Sequence, residues 1–152
     1  MKHALVIYDT TFGNTKLLAE EIAAGIEDAG DITCTVKHQK DLNGCDIGKF
    51  DAFLFGGPIH ATMATRGIKN AIKKAAKKGL DGKFVSTFDT HMGQVGRGVR
   101  NLESLLTKIA PDAHLITPGF SCRVEGFRGP LREEEIPQAL EFGKTIGLEI
   151  LQ

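Results

Sequence analysis

The chain has 152 residues, with 19 Lys+Arg balanced by 19 Asp+Glu and 41% of positions hydrophobic. That is the size of one ordinary domain, residues 1–152, and it leaves no room for a separate substrate domain. Zero net charge argues against a general nucleic-acid footprint. No apolar run approaches the roughly 20 residues of a spanning helix. The apolar run after Met1-Lys2-His3 is too short for a secretory signal. Three cysteines (Cys34, Cys45, Cys122) without a Cys-x-x-Cys pair make a disulfide framework or zinc site improbable and point to a reducing cytoplasm.

In chain order, Ala4–Tyr8 is continuously apolar, as in a strand covered on both faces. Leu18, Ile22, Ile26 and Ala29 then follow a helical period that Gly30 ends. Ile32–Val36 alternates and is rich in β-branched residues, which predicts a half-exposed edge strand. The polar segment 38–49 holds one short helix or none. Ala52–Phe55 is a third strand, ended by Gly56-Gly57-Pro58. Ile68, Ile72 and Ala75 mark one helix face, with Arg66, Lys69, Lys73 and Lys77 opposite. Phe84–Phe88 is a fourth strand ended by Asp89. Val99, Leu102, Leu106 and Ile109 mark a third helix before Pro111. His114–Thr117 is a weaker fifth strand, and 123–132 reads as a loop. Ile136, Leu140, Gly143 and Ile150 share the face of a last helix that starts no earlier than about Glu133, because Pro137 fits only near a helix start. This alternation predicts an α/β fold: a doubly wound parallel sheet with right-handed crossovers and helices on both faces. Ligands of such sheets bind beyond the carboxyl ends of the strands, so the loops that follow the strands hold the candidate site.

The first such loop, Asp9-Thr10-Thr11-Phe12-Gly13-Asn14-Thr15, runs straight into a helix. Gly13 allows backbone geometry that a side chain would block. Free N–H groups and the dipole at a helix start attract anions, and Thr10, Thr11 and Thr15 add hydroxyls. The loop itself has no Lys or Arg, the next being Lys16, so it suits a phosphate held by neutral donors. The Walker and Gly-x-Gly-x-x-Gly patterns are absent. The alternative is an ordinary turn in which Thr and Asn act as helix caps. Thr10-Thr11-Phe12-Gly13-Asn14-Thr15 resembles the phosphate-binding loop of flavodoxins, Ser/Thr-x-Thr-Gly-Asn-Thr; Phe12 departs from it where the family usually has Thr. The resemblance implies a flavodoxin-like five-stranded parallel sheet of order 2-1-3-4-5 and FMN as the ligand.

The same resemblance implies that the loops after strands three and four hold the isoalloxazine ring. The residues concerned are Pro58, Ile59, His60, Ala61, Thr62 and Met63 on one side and Asp89, Thr90, His91, Met92, Gly93 and Gly96 on the other. The chain has no Trp, and its single Tyr, Tyr8, lies inside strand one. The stacking candidates are therefore His60 and Met63 against His91 and Met92, which cover less ring area than Trp. Their bland alternatives are solvated loop histidines and core-filling methionines. Three expectations follow: FMN affinity below that of Trp/Tyr flavodoxins, a redox potential coupled to pH near neutrality through His60 or His91, and a second potential less negative than in acidic relatives.

The basic face from Arg66 through Lys69, Lys73, Lys74, Lys77 and Lys78 is either merely solvated or docks an acidic redox partner. Arg97, Arg100, Arg123, Arg128 and Arg132 are further cations for docking or for an anionic substrate. Cys122 follows strand five and is either a passive or a redox thiol. No Cys-x-x-x-x-x-Arg loop or Gly-x-Ser-x-Gly elbow is present. The resulting expectation is an FMN electron carrier between redox proteins, monomeric or weakly dimeric, without nucleic-acid or membrane partners. The alternative is an FMN-dependent NAD(P)H or quinone reductase on the same fold. A signalling receiver fits poorly, because Asp9 stands alone and Gly56-Gly57 replaces the required Asp; a flavin-free interaction module is the remaining option.

Overall fold

A computed structural model describes all 152 residues. In chain order the elements are β1 (Lys2–Tyr8), α1 (Asn14–Asp28), β2 (Ile32–His38), β3 (Ala52–His60), β4 (Met63–Ala64), α2 (Arg66–Lys78), β5 (Phe84–His91), α3 (Arg97–Ile109), β6 (His114–Leu115), β7 (Phe120–Arg123) and α4 (Ile136–Leu151). The polar segment after β2 forms two 3-10 turns, Gln39–Gly44 and Ile47–Lys49, and a third, Glu133–Glu135, leads into α4.

The parallel sheet has the order β2-β1-β3-β5, with β6 and β7 successively occupying the far side of β5. The expected order 2-1-3-4-5 therefore holds, but the sheet has seven strands where five were expected. The short β4 pairs antiparallel with the end of β3, and the fifth position is split in two. The split falls at Pro118-Gly119, between the two pieces. Proline cannot donate a ladder hydrogen bond, and Gly119 lies where a side chain would collide with Thr87 of β5.

All four long strands run further than their predicted stretches: β1 starts at Lys2, β2 reaches His38, β3 reaches His60, and β5 continues through Asp89, its expected end, to His91. β3 continues through Gly56-Gly57-Pro58 to His60, in register with β5 as Gly56↔Phe88, Gly57↔Asp89 and Pro58↔Thr90. Gly56 persists in the strand because the Phe88 ring fills the space a Cβ would take. β1 ends at Tyr8, opposite Gly56, so Pro58 lies beyond the doubly paired part of β3, where a missing N–H costs less.

Each strand presents alternate residues to two cores. Ala4, Val6, Tyr8 and Leu54 pack against α1 and α4; Leu5, Ile7, Phe53 and Phe55 pack against α2 and α3. Both faces of β1 and β3 are thus dry, which accounts for their unbroken apolar sequence. All three crossover loops at the carboxyl end of the sheet then open on one side of the molecule.

Candidate functional site

A cleft of about 470 Å³ lies at the carboxyl ends of β1, β3 and β5. Small-molecule sites span roughly 300–1,000 Å³. From the first loop it is lined by Thr10, Thr11, Phe12, Asn14 and Thr15; from the β3–β4 turn by Pro58, Ile59, His60 and Ala61; and after β5 by Thr90, His91, Met92 and Gln94. Val124 and Phe127, from the segment before α4, complete the wall. None of these residues is Lys or Arg.

The first loop is shaped from below. The Asp9 carboxylate accepts the Thr10 N–H (3.0 Å) and the Thr65 hydroxyl, tying the loop to the start of α2. The Gly13 N–H donates to Thr10 Oγ1 (2.9 Å), so the loop folds back on itself before the helix begins. Gly13 has φ 91°, in the left-handed region, and is the N-cap of α1 without any side-chain cap. A capping carboxylate or hydroxyl would occupy the first amides of α1; here they remain free to meet an anion. Thr15, buried, shares a 3.1 Å hydrogen bond with Thr90 on the cleft floor. The donor set is therefore amides and hydroxyls, the chemistry a phosphate monoester needs when no cation contacts it.

The other walls are cross-tied. His60 Nε2 and Thr11 Oγ1 lie 3.1 Å apart, linking the first loop to the β3–β4 turn. The Gln94 side-chain amide donates to the Ala61 carbonyl (2.9 Å), linking that turn to the loop after β5. Ala61 has φ 58°, a left-handed conformation uncommon for a residue with a side chain. Asn14 Nδ2 donates to the Arg128 carbonyl (3.0 Å), which holds Phe127 against Phe12 in an edge-on pair with centroids 5.2 Å apart. Arg128 itself stands over the Phe12 ring, its guanidinium carbon 5.6 Å from the centroid. The fold thus brings a cation near the first loop from far along the chain, though outside the cleft lining.

His91 is 4% exposed, and its Nδ1 accepts the Gly93 N–H (3.0 Å). That bond assigns the proton of the neutral ring to Nε2. Burial lowers the His91 pKa below the ordinary 6.5, against the upward pull of Asp89 and Glu135, with Arg123 assisting. Below about pH 6.5 the unfolded chain gains a proton that folded His91 resists, so His91 costs stability as the pH falls through that window. His91→Gln is expected to flatten the acid-side decline of the urea midpoint below pH 6.5. Parallel declines in variant and parent would contradict the assignment of that window to His91.

The remaining sequence-chosen residues lie elsewhere. Asp89 is fully buried and turned from the cleft: its carboxylate accepts the Val99 N–H (2.9 Å) and the Ser121 hydroxyl, fastening α3 and β7 to β5. Burial raises its pKa despite those bonds. Gly96, with φ 74°, is the N-cap of α3, and its N–H donates to Ser121. Thr62, Met63 and Gly93 are exposed at the cleft's rim rather than in its lining. Cys122 is buried in β7, its pKa pushed up to about 12 mainly by burial, so it is a protonated packing group. Gln94, Val124 and Phe127 were not singled out from the sequence. The signal for Phe127 was a single aromatic within Gly126-Phe127-Arg128-Gly129-Pro130, too polar and Gly-rich a stretch to contribute it to a core.

A parallel sheet of this order, with a loop free of Lys and Arg running into an uncapped helix start after β1 and two further loops closing one cleft, defines a flavodoxin-like α/β protein. The model of the flavodoxin domain matches residues 5–109. The structure is similar to that of a flavodoxin from the domain Archaea, at TM-score 0.82 and 16% identity over 99% of each chain. It is also similar to oxidised Flavodoxin 2 from Bacillus cereus, at TM-score 0.75 and 16% identity over 98% of this chain and 99% of that one. The flavodiiron core of Flv1 from Synechocystis sp. PCC6803 matches at TM-score 0.79 and 19% identity, with 99% of this chain aligned to 36% of that one. A search of the curated proteins returned no match. The chain belongs to the flavodoxin family, whose members are FMN-binding electron carriers.

Proposed function

We propose that residues 1–152 act as one FMN-binding unit that carries electrons between redox proteins. The observation that carries this reading is the uncapped start of α1, facing a cleft whose lining offers amides and hydroxyls but no cation. The amides of Thr11, Phe12, Asn14 and Thr15 and the hydroxyls of Thr10, Thr11 and Thr15 would hold the phosphate, while the Gly13 N–H stays on Thr10 Oγ1. The β3–β4 turn and the loop after β5 would flank the ring, with His60, His91, Met92 and the added Phe127 supplying contact area in place of Trp. Bound FMN supplies one- and two-electron chemistry; the protein sets how far each step is favoured. No helix is long and apolar enough to cross a membrane.

The carrier reading predicts that the FMN-loaded protein is inert to NADPH in anaerobic spectroscopy, yet is bleached at once by a reduced redox protein. Fast bleaching by NADPH alone would instead make it a reductase. With His91 beside the ring and its pKa held below 6.5 by burial, the expected coupling of potential to pH moves from neutrality to the acid side: the pH slope of the midpoint potential below pH 6.5 should change in His91→Gln, and an unaltered slope would contradict this.

A further inference from the structure

The zero net charge conceals a separation by face. α2 carries six cations and no carboxylate, and α3 adds Arg97, Arg100 and Lys108 against Glu103 alone, for a net of +8 on that face. On the opposite face, α1 and the segment 133–151 hold nine carboxylates against Lys16 and Lys144, a net of −7. None of the nine cations of α2 and α3 takes part in an ion pair of the molecule. Arg66, Lys73 and Lys77 are exposed along α2, and Arg97 and Arg100 are exposed at the start of α3.

The position of this field relative to the cleft gives it meaning. α2 follows the β3–β4 turn and α3 follows the loop after β5, so both helices begin at the rim of the proposed flavin site. Close to their starts along the chain are three exposed apolar side chains, Met63 (47%) and Val95 (64%) outside the cleft lining and Met92 (51%) within it. An apolar centre flanked by like charges of one sign is the usual build of an interface that is steered by charge and closed by contact. Merely solvated lysines would not require that centre.

We infer that the α2–α3 face, with Met63, Met92 and Val95 at its end, docks an acidic electron-transfer protein. The inference rests on the carrier reading for its redox consequence only; the charge separation stands without it. An acidic duplex such as DNA is the less favoured occupant. The α2 face lacks an aromatic residue for base contacts, and the apolar centre has no role against phosphates.

The test uses the FMN-treated full chain and an acidic plant-type [2Fe–2S] ferredoxin as the probe. Binding to the immobilised ferredoxin is measured at about 0.01 M and about 1 M salt, where the screening length falls from about 30 Å to about 3 Å. Arg66→Glu/Lys73→Glu is compared with Glu20→Lys/Glu141→Lys, which alters the opposite face. In a second arm, reduced ferredoxin gives one electron to the loaded protein; the iron–sulfur cluster is oxidised and the flavin reduced.

High salt and the α2 variant are each expected to lower association and the electron-transfer rate by about tenfold or more, the range of electrostatic steering. The opposite-face variant is expected to keep both. An unchanged α2 variant, a preference for basic cytochrome c, equal capture by duplex DNA, or self-association as the salt-sensitive event would each overturn the proposal. Salt-sensitive binding of ferredoxin by a chain that takes up no FMN would uphold the docking face and refute the carrier reading. Salt-insensitive electron uptake would do the reverse.

Discussion

Replacing Gly25 by alanine is expected to destabilise the protein by about 3 kcal/mol or more, although the same change in an isolated helix is favourable by about 1 kcal/mol. α1 and α4 cross with backbone against backbone. A Cβ on Gly25 would overlap the Leu140 carbonyl and come within 3.0 Å of the Gly143 Cα, and one on Gly143 would overlap the Ile22 carbonyl. Carbonyls within helices cannot rotate aside, so the helices must separate or the side chain must strain. Separation also moves the start of α1, where the phosphate is proposed to bind. Urea titration should therefore show a lower midpoint at an unchanged slope. A midpoint at or above that of the parent would contradict this packing.

The second large effect concerns the cleft floor. Thr15→Val is expected to weaken FMN binding by about ten- to a hundredfold, the range for losing a hydrogen bond to a charged group. Valine keeps the shape of threonine and removes its hydroxyl. Thr90 loses its partner as well, so some stability is lost with it. Two measurements separate these losses: riboflavin, which lacks the phosphate, should bind the variant and the parent about equally, and Thr15→Ser should restore most of the FMN affinity. Equal weakening toward riboflavin and FMN would mean that Thr15 shapes the cleft without touching the phosphate.

Much of this architecture was legible in the sequence because its causes are local. Leu5 and Val6 had to be buried on opposite faces, and the helical periods around Ile22, Ile72 and Leu106 had to cover those faces; doubly wound order follows. The first loop was legible because its hydroxyls, Gly13 and the helix start are contiguous. What escaped depends on partners distant in the chain. Gly56-Gly57-Pro58 reads as a stop until Phe88 is seen to occupy the space of Gly56. Asp89 reads as a site residue until Ser121 and the Val99 amide are seen to claim it. Phe127 and Arg128 meet Phe12 where Asn14 bonds the Arg128 carbonyl, across a sequence separation of 114. The division of charge between faces was hidden for the same reason: net charge sums over a molecule whose helices the fold then sorts by side.

On the proposed function, the uncapped start of α1 and its neighbouring hydroxyls hold a phosphate monoester without a cation in contact. Calorimetric titration of the purified protein with FMN and, separately, with riboflavin tests it directly. The claim predicts stoichiometric heat with FMN, and riboflavin bound at least about a hundredfold more weakly for want of the charged contacts. Equal affinities, or no heat with either, would contradict it.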